Sequence, residues 1–402
     1  MKKSALKLFL PIISALILTA ALSGCQGAVP SVETVEPVEV VSSTPLPVAE
    51  PQPEPAKVTF LAVGDNLIHG SLYLQAQRRA TGEAAYDFTY LYEKIAYKLQ
   101  NYDVNFINQE TLVNNELPAS TYPCFSTPGE CGQAAYDAGF RVFGTSNNHI
   151  YDMGSAGISA TQRYWSEMPT DVVTFGLYSE ETGYENISLQ TVNGITFAYL
   201  AYTQHTNGII TPANASAHII YTDQQDIIEQ QITVAQSMAD VVVVSVHWGN
   251  EDSHNVSDYQ RDLALKMTQW GADVILGTHP HVVQEIEWVT VENGNRALCA
   301  YSMGNFVSAQ SQPDQLFGYA LTFEIVKYPN ENSITIENAK AIPVVTHYGY
   351  NYSDVQAYWY SDYTPELAAS HGVHGRFAGF SKDYIADVLK EYISEDFLCL
   401  EE

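Results

Sequence analysis

Five short apolar runs constrain this chain more than any other feature, because each one stops at residues that can bind a metal ion or move a proton. Val274-Ile275-Leu276 stops at Gly277, and Thr278, His279, Pro280 and His281 follow. Val241 to Val246 ends in His247-Trp248-Gly249-Asn250-Glu251, and Val58 to Val63 ends in Gly64-Asp65-Asn66. Val104 to Ile107 leads into Asn108-Gln109-Glu110; Arg141 to Gly144 leads into Thr145-Ser146-Asn147-Asn148-His149, with Asp152 just beyond. Such runs read as strands buried on both faces. In open α/β sheets, ligands bind beyond the carboxyl ends of the strands. Gly277 permits a tight turn, and Pro280 fixes the relative directions of the histidines beside it. Two imidazoles on so stiff a loop suit a pair of metal ions held side by side; the alternative is two polar loop residues capping a strand.

Helical spacing fills the gaps between these runs. The pattern predicts helices over Tyr86–Leu99, Cys131–Gly139, Ser155–Met168, Asp223–Met238 and Asp258–Trp270. Ile187 to Val192 and Ile195 to Tyr202 flank Asn193-Gly194, the signature of a hairpin turn. After Leu276 the chain turns to β patterns: Val282 to Val291, Ala297 to Ser302, Gly318 to Val326 and Ser333 to Ile342. Alternating βα units followed by antiparallel strands predict an α/β fold of two sheets packed together with helices outside. Residues 57–345 form the expected domain, and 346–402 an extension packed on it with a last helix over Lys382–Ile393 and an acidic tail.

The N-terminus reads as an export signal over residues 1–24: Lys2, Lys3 and Lys7, then an apolar run from Leu8 to Leu22. Leu22-Ser23-Gly24-Cys25 resembles the bacterial lipobox, which implies lipid on Cys25 and a domain at the extracytoplasmic face of the cell membrane; an uncleaved membrane anchor is the alternative. Residues 25–56, dense in Pro, Val, Glu and Ser, read as an extended tether. The net charge of −28 argues against nucleic acid as a partner. It also fits a polyanionic substrate poorly unless metal ions supply local positive charge. In an exported protein, Cys124 and Cys131 flank a short loop that a disulfide could close.

Taken together, Asp65, Glu110, Asn148, His247, His279 and His281 are the candidate metal ligands. Their mix of carboxylate, amide and imidazole suits Mn, Fe or Zn better than Mg or Ca. Two divalent ions bridged by a carboxylate would activate water for phosphoryl displacement. His149 is the candidate general acid or phosphate ligand. Glu251 belongs either to the site or to a solvated turn, while Asp152 organises the Asn-His loop and the helix start. Asn66 and Asn305 are candidate substrate contacts. His205, His254, His347, His371 and His374 read as surface histidines, and Trp248 as packing.

The motifs G-D-N at Gly64, N-x-E at Asn108, N-N-H-x-x-D-x-G at Asn147, H-W-G-x-E at His247, G-T-H-P-H at Gly277 and S-M-G-N-F at Ser302 together resemble the CapA family. These bacterial proteins are linked to poly-γ-glutamate capsule synthesis and are related to calcineurin-like metallophosphoesterases. The resemblance runs from Val58 to Pro343. It implies a four-layer αββα sandwich of two mixed sheets with a dinuclear site at the strand ends. It further implies membrane synthase components as partners and an anionic polymer or phosphoester as substrate. Two positions depart from the wider phosphoesterase pattern. Leu67 stands where Asp-x-His would place a histidine, with His69 further along as a possible substitute, and Glu110 stands in place of the bridging aspartate. A general exported phosphatase or phosphodiesterase, and a non-catalytic polymer-binding accessory, are the alternative functions.

Overall fold

In the computed structural model, residues 54–178, 183–329 and 333–402 are described. The export signal, Cys25 and nearly all of the tether lie outside them. By internal contacts the chain divides into Met1–Gln52 and Pro53–Glu402, and every described strand and helix belongs to the second unit. Its strands are β1 (Ala56–Asn66), β2 (Val104–Asn108), β3 (Val113–Asn114), β4 (Thr127–Pro128), β5 (Val142–Gly144), β6 (Val173–Phe175), β7 (Ser188–Val192), β8 (Ile195–Thr203), β9 (Val241–His247), β10 (Val274–Thr278), β11 (Ile286–Thr290), β12 (Arg296–Ala300), β13 (Asn305–Val307), β14 (Phe317–Tyr328), β15 (Ser333–His347) and β16 (Gln356–Trp359). Its helices are α1 (Gly70–Arg79), α2 (Thr89–Tyr92), α3 (Ala96–Leu99), α4 (Gly129–Ala138), α5 (Gly154–Glu167), α6 (Gln225–Met238), α7 (Asp258–Trp270), α8 (Pro365–Ser370) and α9 (Lys382–Tyr392). Among the described residues, no helix is long and apolar enough to cross a membrane.

Two mixed sheets form the body. The first runs β16-β15-β14-β1-β2-β5-β6, with β13 also paired to β1; the second runs β11-β12-β10-β9-β8-β7. Parallel pairing joins β1 to β13 and to β2 and runs on through β5 to the edge strand β6 in the first sheet, and it joins β8-β9-β10-β12 in the second. The antiparallel strands that follow β10 in sequence extend the edges of both sheets. The five apolar runs thus become central strands covered on both faces, which is why they carry no polar alternation. Between the sheets, Phe60 stacks on Phe323 at 4.8 Å and meets Phe197 at 6.0 Å. On the far side of the second sheet, α6 and α7 bury Ile228, Ile232, Leu263 and Met267 against Val242, Val244 and Val246. The result is the expected mixed α/β sandwich.

Several local expectations change. The single helix over Tyr86–Leu99 is two separate turns, α2 and α3, because Tyr90, Leu91 and Tyr92 are consecutive and all buried. A continuous amphipathic helix with one wet face cannot meet that demand. Cys124 and Cys131 are both free thiols: Cys131 is buried in the first turn of α4, 3.7 Å from the Tyr92 hydroxyl. Residues 346–402 share the core, with Trp359, Tyr363, Ile385 and Leu389 fully buried.

His347 and His371 are buried rather than on the surface. They meet edge to face at 5.0 Å, and His347 Nδ1 lies 2.9 Å from the Tyr363 hydroxyl. Burial holds His347 down to about 4 and His371 to about 3. An unfolded histidine titrates near ~6.5, so between those values the unfolded chain binds more protons and stability rises with pH. Their contribution is complete above pH ~6.5 and drains away as the pH falls towards 4. The thermal midpoint should decline over that window, and the decline should be shallower in His347→Gln; equal slopes by calorimetry would exclude this origin.

Candidate metal centre

The carboxyl ends of β1, β2, β9 and β10 and the loop after β5 converge on one buried point. At the end of β10, Gly277 passes so close to Tyr301 that a Cβ there would lie 2.0 Å from the Tyr301 carbonyl oxygen. The next residues are strained: His279 has φ 98° and His281 φ 61°, a region non-glycine residues rarely adopt. That backbone, with Pro280 between them, turns both imidazoles inward; both are nearly completely buried. Strain of this kind is stored at functional sites.

Asp65 is held in place by donors on two sides. Asn108 Nδ2 donates to its Oδ1 at 2.7 Å and the His279 backbone N–H to its Oδ2 at 3.2 Å. His281 Nδ1 lies 3.3 Å from Asp65 Oδ2 and 3.1 Å from Asn305 Oδ1, while its Nε2 is 3.9 Å from Glu110 Oε1. His247 Nδ1 is set by Thr278 Oγ1 at 3.0 Å. Its Nε2 faces Asn148 Oδ1 at 3.1 Å, His279 Nδ1 at 3.1 Å and Glu110 Oε1 at 3.7 Å. The six expected ligands therefore come together.

Glu110 shows what the cluster is for. It is 0 % exposed, and neither carboxylate oxygen has a hydrogen-bond partner. An ionised carboxylate left so costs several kcal/mol or more. Burial and the nearby Asp65 accordingly hold its pKa well above the usual range. Burial alone would lower His281, yet Glu110 and Asp65 outweigh it and push that histidine to about 10. Burial, reinforced by the neighbouring histidines, keeps His247 and His279 far below the ordinary value, so they are neutral with lone pairs to give. Asp65, Glu110 and His281 offer ligand atoms all within 4.8 Å of one another, as do Glu251, His279 and His281. Two nitrogens bound to one ion at ~2.0–2.1 Å each sit roughly 3 Å apart, close to the separation of His247 Nε2 and His279 Nδ1. The residues fit divalent metal.

Beside the cluster, His149 Nδ1 lies 2.7 Å from Asp152 Oδ2, and its ring meets Phe125 edge-on at 4.7 Å. Asp152 does not cap α5, whose N-cap is Met153 without a side-chain bond; it accepts from the Phe125 N–H at 2.7 Å and orients His149. Asn66 is no substrate contact: Gln109 at 2.8 Å and Tyr92 at 3.1 Å engage its buried amide. Asn305 is likewise occupied, by His281 and by Gln310 and Gln315. Trp248 packs, its indole donating to the Tyr301 carbonyl at 2.9 Å.

Of two further residues of the site, the sequence reading took His205 for a surface histidine and passed over Asn207. The ring of His205 meets His279 edge-on at 4.8 Å, and Asn207 lies 3.3 Å from the Asn148 amide nitrogen and 3.5 Å from His149 Nδ1. The signal was available, since β8 is also an apolar run that ends in polar residues, Thr203 to Asn207. The hairpin pattern there drew attention to the wrong end of the strand.

The family described as bacterial capsule synthesis protein PGA_cap matches residues 59–310. The chain is 33% identical over 233 residues to the PGA biosynthesis protein CapA of Bacillus subtilis (strain 168), covering 58% of this chain and 60% of that one. It is 30% identical over 267 residues to the capsule biosynthesis protein CapA of Bacillus anthracis, covering 64% and 61%. The chain thus spans about three-fifths of the length of these curated relatives. Similar solved structures include a phosphatase from Mycoplasma pneumoniae, 12% identical with a TM-score of 0.43 over 72% of this chain and 94% of that one. Another is the Haemophilus influenzae NAD nucleotidase, 11% identical with a TM-score of 0.42 over 87% and 58%. The architecture stands on the strands and their pairing, not on these distant likenesses.

Replacing Glu110 separates stability from metal uptake. Without metal, Glu110→Gln removes a buried, unbonded carboxyl group crowded against Asp65 and should stabilise the fold by about 1–3 kcal/mol. With Mn²⁺ the order should reverse, because only the wild type gains stability from binding. Urea unfolding in chelator and in Mn²⁺ tests both; a wild type indifferent to the metal would refute the assignment.

Proposed function

The chain belongs to the PGA_cap family of bacterial capsule synthesis proteins, and from that premise we propose that it serves the synthesis or export of a poly-γ-glutamate-like surface polymer. It works at the outer face of the cell membrane, anchored by lipid on Cys25 and acting through a two-metal, phosphoesterase-like site. The observation that carries this reading is the buried Glu110 carboxylate, without a hydrogen bond, among Asp65, His247 and His281.

Asp65, Glu110 and His281 would hold one ion, and Glu110, Asn148, His247 and His279 the other. When bound, such ions supply Lewis-acid polarisation of a phosphoryl oxygen and activation of a water. They also offset the acidity that would otherwise repel an anionic substrate from a chain of charge −28. The chain's own residues do the rest. Asp152 fixes Nδ1 of His149, which leaves Nε2 as the atom that gives a proton to the leaving oxygen. Asn108 and the His279 N–H keep Asp65 aimed. Asn305 fixes the ring of His281 as outer partners of metal-binding histidines do.

With Mn²⁺, the purified full chain should hydrolyse a chromogenic phosphoester. His149→Ala should lower kcat by roughly 10²–10⁴-fold while the metal content is unchanged. A metal-loaded wild type without turnover would favour the polymer-binding accessory over the hydrolase. Anchoring is tested separately: Cys25→Ser should move the protein from the membrane fraction to the soluble one, and an unchanged distribution would rule out lipid on Cys25.

A further inference from the structure

The ion assigned to Asp65, Glu110 and His281 has fewer protein ligands than its neighbour. Leu67, where the wider pattern has a histidine, is buried and donates its N–H to the Val307 carbonyl at 2.9 Å. His69 stands two residues further on; its Nδ1 lies 3.2 Å from both the Leu67 carbonyl and the Ala309 N–H, and its ring lies edge-on to Phe125 at 5.5 Å.

We propose that Glu251 is a metal ligand, reaching the centre from its solvent side over His279 and His281. This rests on the two-metal reading of the site. A carboxylate oxygen of Glu251 and ligand nitrogens of His279 and His281 all lie within 4.8 Å of one another. Glu251 is exposed, and among the described residues its carboxylate makes no hydrogen bond or ion pair. The buried Glu110, with both oxygens unpartnered, marks the same cluster as short of cations.

The loop that carries Glu251 is fastened to the loop that carries the histidines. Trp248 N–H donates to the Thr278 carbonyl at 3.1 Å and Asp252 N–H to the Pro280 carbonyl at 3.0 Å. The Asp252 carboxylate accepts from Gln315 at 2.5 Å. Gly249 (φ 92°) and Asp252 (φ 61°) bend the chain to bring Glu251 over. A clamped loop presenting an unpaired carboxylate to two imidazoles is a ligand's setting; a solvated turn has no need of those clamps. With Asp65 and Glu110, Glu251 gives the centre a third carboxylate, close to the charge of two divalent ions.

The test is Mn²⁺ binding by the full chain and by Glu251→Gln, read by calorimetry and by the electron paramagnetic resonance of coupled Mn²⁺ pairs. The wild type should take up two equivalents. The variant should keep one, bind the other roughly 100-fold or more weakly, and lose the coupled-pair signal. Its metal-free thermal midpoint should not move, because the side chain is exposed and unpaired, and this excludes misfolding. Two equivalents with unchanged affinities in Glu251→Gln would overturn the proposal and leave the two-metal reading standing. A wild type that binds no metal would overturn both.

Discussion

A carboxylate buried without a single hydrogen bond is among the most expensive things a fold can hold, and the rest of this structure is arranged around that of Glu110. Only a rigid surround prevents such a group from turning out to water or drawing water in. Central strands supply the surround. β1, β2, β9 and β10 are buried along their whole length at the site, so their ends cannot drift. The ends of β1, β2 and β9 each then bring one candidate ligand to the same point, and the end of β10 brings two. Burial pulls all three histidines down, and the carboxylates beside His281 reverse that pull for it alone.

The loops outside the sheets are tied down in turn. α9 reaches them through Tyr392, stacked on His254 at 4.1 Å, and through Tyr384, bonded to Asp314. His254 also faces the Val283 carbonyl at 2.8 Å and Asp314 at 3.3 Å. Asp314 and its neighbour Gln315 belong to the turn that engages both Asp252 and Asn305. The C-terminal residues thus buttress the two sides of the site that the strands do not reach, the Glu251 loop and the outer face of His281.

Much of this was legible in the sequence because parallel strands leave a simple trace. A strand covered on both faces must be apolar throughout, and the residues just past its end face the crevice where ligands bind. That logic identified Asp65, Glu110, Asn148, His247, His279 and His281 without any coordinates. It took His205 for a surface histidine and passed over Asn207 because β8 was read as half of a hairpin. Asn66 and Asn305 went astray for a different reason: an amide beside a ligand can face the ligand or the substrate, and spacing along the chain does not distinguish the two. Cys124 and Cys131 were near neighbours in sequence, yet α4 turns Cys131 into the core beneath Tyr92.

The sequence alone therefore determined which residues form the central strands and which stand at their ends, since hydrophobic burial and strand direction are written into residue order. Only the tertiary structure decided which of those ends share one point. It also decided that Glu110 is left without a hydrogen bond, that Asp152 serves His149 rather than a helix, and that Glu251 leans over His279 and His281. These depend on sheet order and on loops clamped across long gaps in sequence. Such contacts exist only once the two sheets have packed.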